Sequence, residues 1–263
     1  MVQLIPFDEI KISESPKRLV KYILIWCSKG SVKVIIDGKE LGIQKNEVVT
    51  ITSGQIFYFK KIKGAVGCIL EFTFGFFCKD DKDIELIFHN GLFCHFDLNE
   101  VIEIKNSDMV ETQLRLIKEE IEQQPYQYLT SIHSRIELIL VEINRTKVDR
   151  GDEIYKPDAL FLKFLELVRA NFKNNYSLKQ IARMLHTTEV KLNELSKLHT
   201  GKTAQSVIYG LIISEAKRLL TYQNISVKEV AAELGFNDPF YFSNFFKKVV
   251  GVSPKGFVPK RGL

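Results

Sequence analysis

The sequence predicts an α+β chain whose first part is a β-barrel and whose last part is entirely helical. Short β-prone segments fill residues 19–97, and amphipathic helical periods replace them from residue 107 onward. The charge is also unevenly spread. Residues 158–263 hold 16 Lys and Arg against 8 Asp and Glu, whereas the whole chain of 263 residues carries a net charge of only +5. This basic excess in the helical part fits a nucleic-acid partner there, and it fits a solvated basic surface equally well.

The strand-rich region contains apolar or alternating runs that are separated by turn sequences. The main runs are LVKYILIWC, SVKVIID, EVVTIT and KIKGAVGCILEFTF. Asp37-Gly38 lies between two such runs, which predicts a two-residue hairpin turn. Many short strands at regular spacing are typical of a barrel or jelly roll. We therefore place a β-barrel in residues 1–104.

Two amphipathic helices are predicted after the strands. Apolar residues recur at helical spacing in 107–124 and again in 130–144, and Pro125 interrupts the pattern between them. The pair predicts a helical hairpin at 105–148. His133 is expected on its polar face.

The remainder of the chain is predicted to be a linker and a second domain. Residues 149–157 are polar and contain Gly and Pro, as linkers often do. Residues 158–263 then show helical periods throughout, beginning with Asp158 as a helix cap.

This second domain contains an internal repeat. SLKQIARMLHTTEVKLNELSKLHTGKT and SVKEVAAELGFNDPFYFSNFFKKVVGVSP each begin with a Ser that can cap a helix. Each continues through a short turn into a second helix that ends at a Gly, and these glycines, Gly201 and Gly251, are 50 residues apart. Helix, short turn and second helix is the helix-turn-helix arrangement, so the sequence predicts two such units.

Helical periodicity divides the second helix of the second repeat into two faces. Phe242, Phe245, Phe246 and Val249 follow the i, i+3, i+4, i+7 spacing of a buried stripe. The opposite face carries the predicted DNA-binding residues Phe240, Ser243, Asn244, Lys247 and Lys248. Polar and cationic donors on a helix capped by Asp238 suit the major groove. Two roles stay open for Phe240: contact with a thymine methyl, or packing at the rim of a neighbouring helix.

The second helix of the first repeat is analysed in the same way. Its inward residues are expected to be Leu192 and Leu195, with Ser196 and His199. Its predicted DNA-binding residues are Val190, Lys191, Asn193, Glu194 and Lys197. An Asn can pair with adenine and a Glu can accept from cytosine N4. Glu194 can equally form a solvent-exposed pair with a neighbouring Lys. A partly charged His199 would meet the helix dipole favourably.

The segments ISVKEVAAELGFNDPFYFSNFFKKVVGVSP and EAKRLL resemble the AraC/XylS family of bacterial transcription regulators. The resemblance covers the C-terminal part of the chain. It implies two helix-turn-helix units joined by a long helix, with both recognition helices in successive major grooves of promoter DNA. It also implies an activator that acts as a homodimer and contacts RNA polymerase. The chain departs from the family at four places, namely Glu194, Ser196, Ile212-Ile213 and Val258.

For the first part of the chain, the resemblance implies a cupin-like β-barrel that binds a small effector, followed by helices that dimerise. The aromatic candidates for an effector pocket are Trp26, Phe57, Phe59, Phe72 and Phe74. The same residues can simply fill the barrel core. A regulator without a ligand, whose barrel only dimerises or contacts another protein, is therefore an alternative.

An enzyme is the more distant alternative. Cupin metalloenzymes need a His-x-His motif with a following Glu, which the sequence lacks, and His89 and His95 alone are too few ligands. We expect no catalytic residue, no metal and no cofactor.

Compartment follows from the cysteines and the hydropathy. None of the four cysteines forms a CxxC pair, so buried thiols in a reduced compartment are expected. No apolar run of 18 residues and no signal-peptide pattern occurs. The sequence therefore predicts a cytoplasmic protein that does not bind membranes.

Overall fold

A computed structural model of the chain forms two compact units, Met1–Pro157 and Asp158–Leu263. The residues that it describes are 2–10, 17–88, 92–93, 99–152, 158–222 and 225–258. Each unit has its own hydrophobic core.

The described residues of the N-terminal unit form one antiparallel sheet of seven strands. They are β1 (Val2–Pro6), β2 (Lys17–Arg18), β3 (Tyr22–Ile36), β4 (Lys39–Ile43), β5 (Glu47–Ile51), β6 (Ile56–Phe72) and β7 (Val101–Glu103). The order is β1-β6-β3-β5-β7, with β2 beside β6 and β4 beside β3. Asp37 and Gly38 both have positive φ, at 45° and 87°, so the predicted turn between β3 and β4 is confirmed.

The long strands β3 and β6 form the centre of this sheet, and register shifts at Cys27/Lys29, Lys29/Ser31 and Lys33/Val34 interrupt their pairing. Such irregularities bend a strand pair and increase its twist. Among the described strands the sheet remains open, because the outer strands β1 and β7 do not pair with each other. A closed barrel is therefore not confirmed.

The strand prediction for residues 19–97 extends too far. Two short helices, α1 (Phe74–Phe77) and α2 (Asp81–Phe88), occupy part of this range. The apolar run that ends β6 continues directly into α1, and a short apolar run does not distinguish a strand from a buried helix.

The two faces of the sheet bury different aromatic clusters. One face carries a core that includes Ile23, Ile25, Phe57 and Phe59. Successive side chains of a strand point to opposite faces, so Tyr22, Leu24 and Trp26 lie on the other face. There the Tyr22 and Phe72 rings stack with centroids 6.0 Å apart. Helices cover this second face, because Phe72 contacts Phe77 of α1.

The predicted helical hairpin is present as α3 (Ser107–Gln123) and α4 (Tyr128–Asp149). Gln124 and Gln127 adopt left-handed backbone conformations on either side of Pro125, which reverses the chain. The expectation for His133 is wrong. Its ring is buried, stacks on Phe77 at 4.9 Å and faces Asp83. The helical period placed His133 beside the apolar stripe, but α1 and α2, which cover it, were not predicted.

The C-terminal unit is helical throughout its described residues. Its helices are α5 (Ala159–Ala170), α6 (Leu178–Met184), α7 (Glu189–Thr200), α8 (Ala204–Tyr222), α9 (Val227–Glu233), α10 (Pro239–Val250) and α11 (Pro254–Phe257). A short 3₁₀ turn, Phe172–Asn174, follows α5. No helix of the described chain is long and apolar enough to span a bilayer.

Candidate nucleic-acid interface

Two helix pairs, α6–α7 and α9–α10, stand at equivalent places in the C-terminal unit, with the long helix α8 between them. Ser177 and Ser226 each close a capping box at the start of their pair, with Gln180 and Glu229 respectively. The following turns each contain one left-handed residue, His186 in the first and Gly235 in the second. We call α6–α7 the first helix pair and α9–α10 the second helix pair.

Helix α10 has well-defined ends. The Asp238 carboxylate accepts a 2.8 Å hydrogen bond from the Phe240 N–H, and Pro239 occupies the first helical position, where no amide hydrogen is needed. Gly251 ends the helix with φ 89°. The helix therefore presents a fixed set of side chains to solvent.

The buried stripe of α10 is shorter than its sequence period suggests. Phe242 and Phe246 are fully buried, as expected. Phe245 is half-buried and lies 5.1 Å from the Tyr209 ring of α8. Val249 was expected inside, but it is 49% exposed. It lies in the last helical turn, where the core contact is made by Phe246 with Phe257 of α11 instead.

The outer face of α10 carries aromatic, amide and cationic groups. Phe240 is 81% exposed, so the alternative prediction that it packs at the rim of a neighbouring helix is wrong. Asn244, Lys247 and Lys248 are also exposed. Tyr241, which is not among the residues predicted from the sequence, is 64% exposed beside Phe240. At 100° per residue, Tyr241 lies about 90° from the centre of the buried stripe, so the helical period alone does not decide its exposure.

Ser243 lies at the edge of this face. Its hydroxyl donates a 2.8 Å hydrogen bond to the Pro239 carbonyl one turn earlier. A Ser that bonds back to its own helix retains acceptor capacity but has already used its hydrogen. Ser243 is therefore available to a donor on DNA, not to an acceptor.

Helix α7 has the inward residues that were predicted for it. Thr188 caps its start by accepting from the Lys191 N–H, and Gly201 ends it with φ 68°. Leu192, Leu195 and Ser196 are buried. The outward side chains Val190, Lys191, Glu194 and Lys197 are exposed, as expected.

Asn193 is already engaged within the protein. Its amide donates to the Glu189 carbonyl at 3.0 Å, and its side-chain oxygen accepts from the Ala204 N–H at the start of α8, also at 3.0 Å. An amide has two donor hydrogens and two acceptor lone pairs, so one of each stays available, but the two bonds fix the orientation in which Asn193 could meet a base. The structure shows Asn193 as a link between α7 and α8.

The exposed charges of the two helices differ in sign balance. Lys247 and Lys248 stand on α10 without an acidic neighbour in the exposed part of that helix, whereas α7 alternates Glu189 and Glu194 with Lys191 and Lys197. No ion pair forms between Glu194 and either lysine in the described chain, so the solvent-exposed pair expected for Glu194 is not present. The surface of α7 is thus close to neutral and that of α10 is basic.

His199 is not the charged residue that the sequence suggested. Its ring stacks on Phe161 at 4.8 Å, and its Nε2 accepts from the Asp158 N–H at 3.3 Å. Burial lowers the pKa of His199 below its usual value. The neutral ring therefore joins the end of α7 to the start of α5.

The predicted effector residues do not line one common surface. Phe57 and Phe59 belong to the core on one face of the sheet, while Trp26 and Phe72 lie on the other. Phe74 lies on α1, and its ring is 6.3 Å from that of Tyr22 on the second face. The Trp26 indole N–H is buried and has no hydrogen-bond partner among the described residues. His89 and His95, the two histidines of the strand-rich region, lie outside those residues.

Comparisons with known proteins agree with the helical geometry of the C-terminal unit. The family model described as a helix-turn-helix domain matches residues 181–259, which include α7, the whole of α8 and the second helix pair. The matched residues belong to an AraC-type helix-turn-helix domain.

Curated relatives support this assignment for the same part of the chain. The transcriptional regulatory protein YesN of Bacillus subtilis is 35% identical over 108 residues, which are 40% of this chain and 29% of YesN. The xylose operon regulatory protein of Haemophilus influenzae is 31% identical over 100 residues, 38% of this chain and 26% of that protein. The matched segment thus spans less than a third of either relative's length.

Solved structures are also similar to this chain. The C-terminal domain of AraT, a response regulator from Geobacillus stearothermophilus, has 24% identity, covers 40% of this chain and 87% of that chain, and has a TM-score of 0.37. ToxT from Vibrio cholerae has 13% identity over 99% of this chain and 98% of that chain, with a TM-score of 0.43.

Proposed function

We propose that the protein is a sequence-specific DNA-binding transcription regulator and that α10 makes the larger share of its DNA contacts. The observation that carries this proposal is the outer face of α10, where Phe240, Tyr241, Asn244, Lys247 and Lys248 are exposed together on a capped helix. Lysines neutralise phosphates, an amide reads base edges, and an aromatic ring contacts thymine methyl groups.

Helix α7 contributes less in this proposal. Val190, Lys191 and Lys197 face outward, but Glu194 has no ion pair among the described residues and repels phosphates. The orientation of the Asn193 amide is fixed by its bonds to Glu189 and Ala204. Its role is to place a second contact in the neighbouring groove. The two helices would read half-sites about one helical turn of DNA apart.

Selection of DNA duplexes from a random library by the full chain tests the function. We expect enrichment of one motif, and its spacing shows whether both helices read DNA. Enrichment of no motif over repeated rounds, with the protein folded by circular dichroism, would exclude sequence-specific binding.

Matched lysines in the two helices then test the unequal share. Lys247 and Lys197 occupy equivalent positions, 50 residues apart. With the selected duplex, Lys247→Ala is expected to weaken binding by about tenfold and to lower the salt slope by about 1, because one phosphate contact is lost. Lys197→Ala is expected to have a smaller effect. Equal losses in anisotropy titrations would contradict the assignment to α10.

The N-terminal unit is proposed to regulate the DNA-binding unit as an effector-binding or dimerising part, and the regulator is proposed to be a dimeric activator. Exposed Leu129 and Leu138 on α4 support a protein contact there. The buried Trp26 indole N–H, which has no hydrogen-bond partner among the described residues, supports a polar ligand group. Sedimentation of the full chain measures the dimer, with Leu138→Lys expected to weaken it.

Mass spectrometry of an organic extract detects a retained ligand. A chain that carries none and binds DNA equally well without additives favours the ligand-independent form.

A further inference from the structure

One buried cluster of the N-terminal unit has no part in the proposed DNA contact. It joins Asp83 of α2 to His133 and Glu137 of α4. His133 Nε2 lies 3.2 Å from an Asp83 carboxylate oxygen and 2.8 Å from the Phe77 carbonyl oxygen. His133 Nδ1 lies 3.5 Å from a Glu137 carboxylate oxygen on the other side of the ring.

The ring of His133 is held in place before any ligand arrives. It stacks on the Phe77 ring with centroids 4.9 Å apart and an interplanar angle of 26°. Only 9% of the His133 side chain and 8% of the Asp83 side chain are exposed. Asp83 is also fixed, because its carboxylate accepts a 2.8 Å bond from the Lys79 N–H.

No lysine or arginine neutralises the two carboxylates of the cluster. Neither Asp83 nor Glu137 has an ion pair with a Lys or Arg in the described chain, and both ring nitrogens of His133 face oxygen acceptors. A buried carboxylate such as that of Asp83 is normally paired with a cation or bound to a metal. A proton on His133 would supply one positive charge against two carboxylates, whereas a divalent cation beside a neutral imidazole balances both.

We propose that this cluster binds a divalent transition-metal cation of the zinc type. His133 Nε2, the Asp83 carboxylate and the Phe77 carbonyl are the protein ligands, and solvent completes the coordination. Imidazole and carboxylate are the ligands that such borderline metals take. Glu137 accepts the remaining Nδ1–H of His133, which is the usual carboxylate support of a metal-bound histidine. The Glu137 side chain is 39% exposed, so it marks the side from which the ion enters.

Binding would connect two separate segments of the N-terminal unit. Asp83 and Phe77 belong to the short helices after β6, while His133 belongs to the hairpin helix α4. The metal would therefore fix α1 and α2 against the hairpin and stabilise the folded unit by mass action.

Zinc titration of the chelator-treated full chain by calorimetry, with EDTA reversal, tests the proposal. We expect a site that His133→Gln removes and that Glu137→Gln weakens by about 10- to 100-fold. Glu119→Gln, which changes an exposed carboxylate on α3, is expected to bind zinc as the unchanged chain does. Zinc should also raise the melting temperature of the unchanged chain and of Glu119→Gln, but not of His133→Gln.

Two outcomes would overturn the proposal. Folded protein that binds no zinc would leave His133 as a hydrogen-bonded histidine only. Binding that is equally strong in the unchanged chain and in Glu137→Gln would place the ion elsewhere in the protein. If His133→Gln does not fold by circular dichroism, Glu137→Gln decides, because its change lies at the exposed edge and leaves the bonds of His133 to Asp83 and Phe77 intact.

Discussion

The first and second helix pairs share a side-chain hydrogen bond to a backbone carbonyl, but they differ in the side chains that they expose. Asn193 and Ser243 occupy equivalent positions, and each donates to the carbonyl four residues earlier in its helix. On the outer faces, by contrast, Glu194 of α7 stands where α10 has Asn244, and Leu198 stands where it has Lys248. The two helix pairs therefore have the same local hydrogen-bond pattern, but they expose different side chains to solvent.

The buried positions show the same divergence. Ser196 and Phe246 are equivalent and both fully buried, but Phe246 contacts the rings of Phe242 and Phe257, whereas the Ser196 hydroxyl has no hydrogen-bond partner in the described chain. The second helix pair is therefore stabilised by an aromatic core that the first pair lacks. This difference leads to predictions that compare equivalent positions.

The largest expected difference concerns Ser196 and Phe246. Phe246→Ala should lower the free energy of unfolding by about 3–5 kcal/mol, because it leaves a cavity in the aromatic core. Ser196→Ala should raise it by about 1 kcal/mol, because it removes a buried polar group without a partner. Urea unfolding of the full chain, followed by circular dichroism, measures both changes. Destabilisation by Ser196→Ala would show that its hydroxyl is bonded after all.

The second largest difference is expected in the turns inside the two helix pairs. Gly235 has φ 73°, and a Cβ on it would lie 2.4 Å from the Lys173 carbonyl oxygen. Gly235→Ala should therefore cost about 2–4 kcal/mol, since it adds a backbone clash to an unfavourable left-handed residue. His186→Ala changes the equivalent turn, which already holds a side chain at φ 52°, and should cost less than about 1 kcal/mol. Equal costs in the same unfolding assay would contradict the close contact at Gly235.

Asn193→Ala should lower the free energy of unfolding by about 1 kcal/mol more than Ser243→Ala does. Asn193→Ala removes the side-chain oxygen that accepts from the Ala204 N–H. This backbone donor at the start of α8 then has no partner from α7. Ser243→Ala loses only a bond within α10, which contributes little to helix stability. Unfolding of the two variants measures the difference, and an equal effect would mean that the link from α7 to α8 adds nothing.

The smallest expected difference is a pH dependence found only in the first pair. The folded state lowers the pKa of His199, so the unfolded chain binds more protons when the pH falls below about 6.5. Stability of the C-terminal unit should therefore decrease as the pH falls through this window. In His199→Gln this part of the decrease should vanish. Val249, at the equivalent position, has no titrating group. Identical stability profiles of the unchanged chain and His199→Gln between pH 7.5 and 5 would contradict the neutral ring.

Some features of the site were predictable because they depend on neighbours in the sequence. Ser226, Asp238 and Gly251 set the ends of α9 and α10 through bonds to residues two to four positions away. The period of Phe242 and Phe246 then fixes which side of α10 is buried. These local rules also place Phe240, Asn244 and Lys247 outside.

Other features depended on contacts that are distant in the chain. The engagement of Asn193 needs α8, and the burial of His133 needs α1 and α2. The separation of Trp26 from Phe57 follows from strand pairing across the bent sheet. None of these contacts leaves a periodic signal in the sequence.

The sequence by itself determined the helical repeat, its caps and the basic outer face of α10, because each follows from spacing along a single helix. Only the tertiary structure decided that Asn193 is hydrogen-bonded to the start of α8, that Val249 is exposed and that His133 lies between two carboxylates. The physical reason is that burial and hydrogen bonding of a side chain depend on what packs against it, and long-range packing is fixed only when the chain is folded.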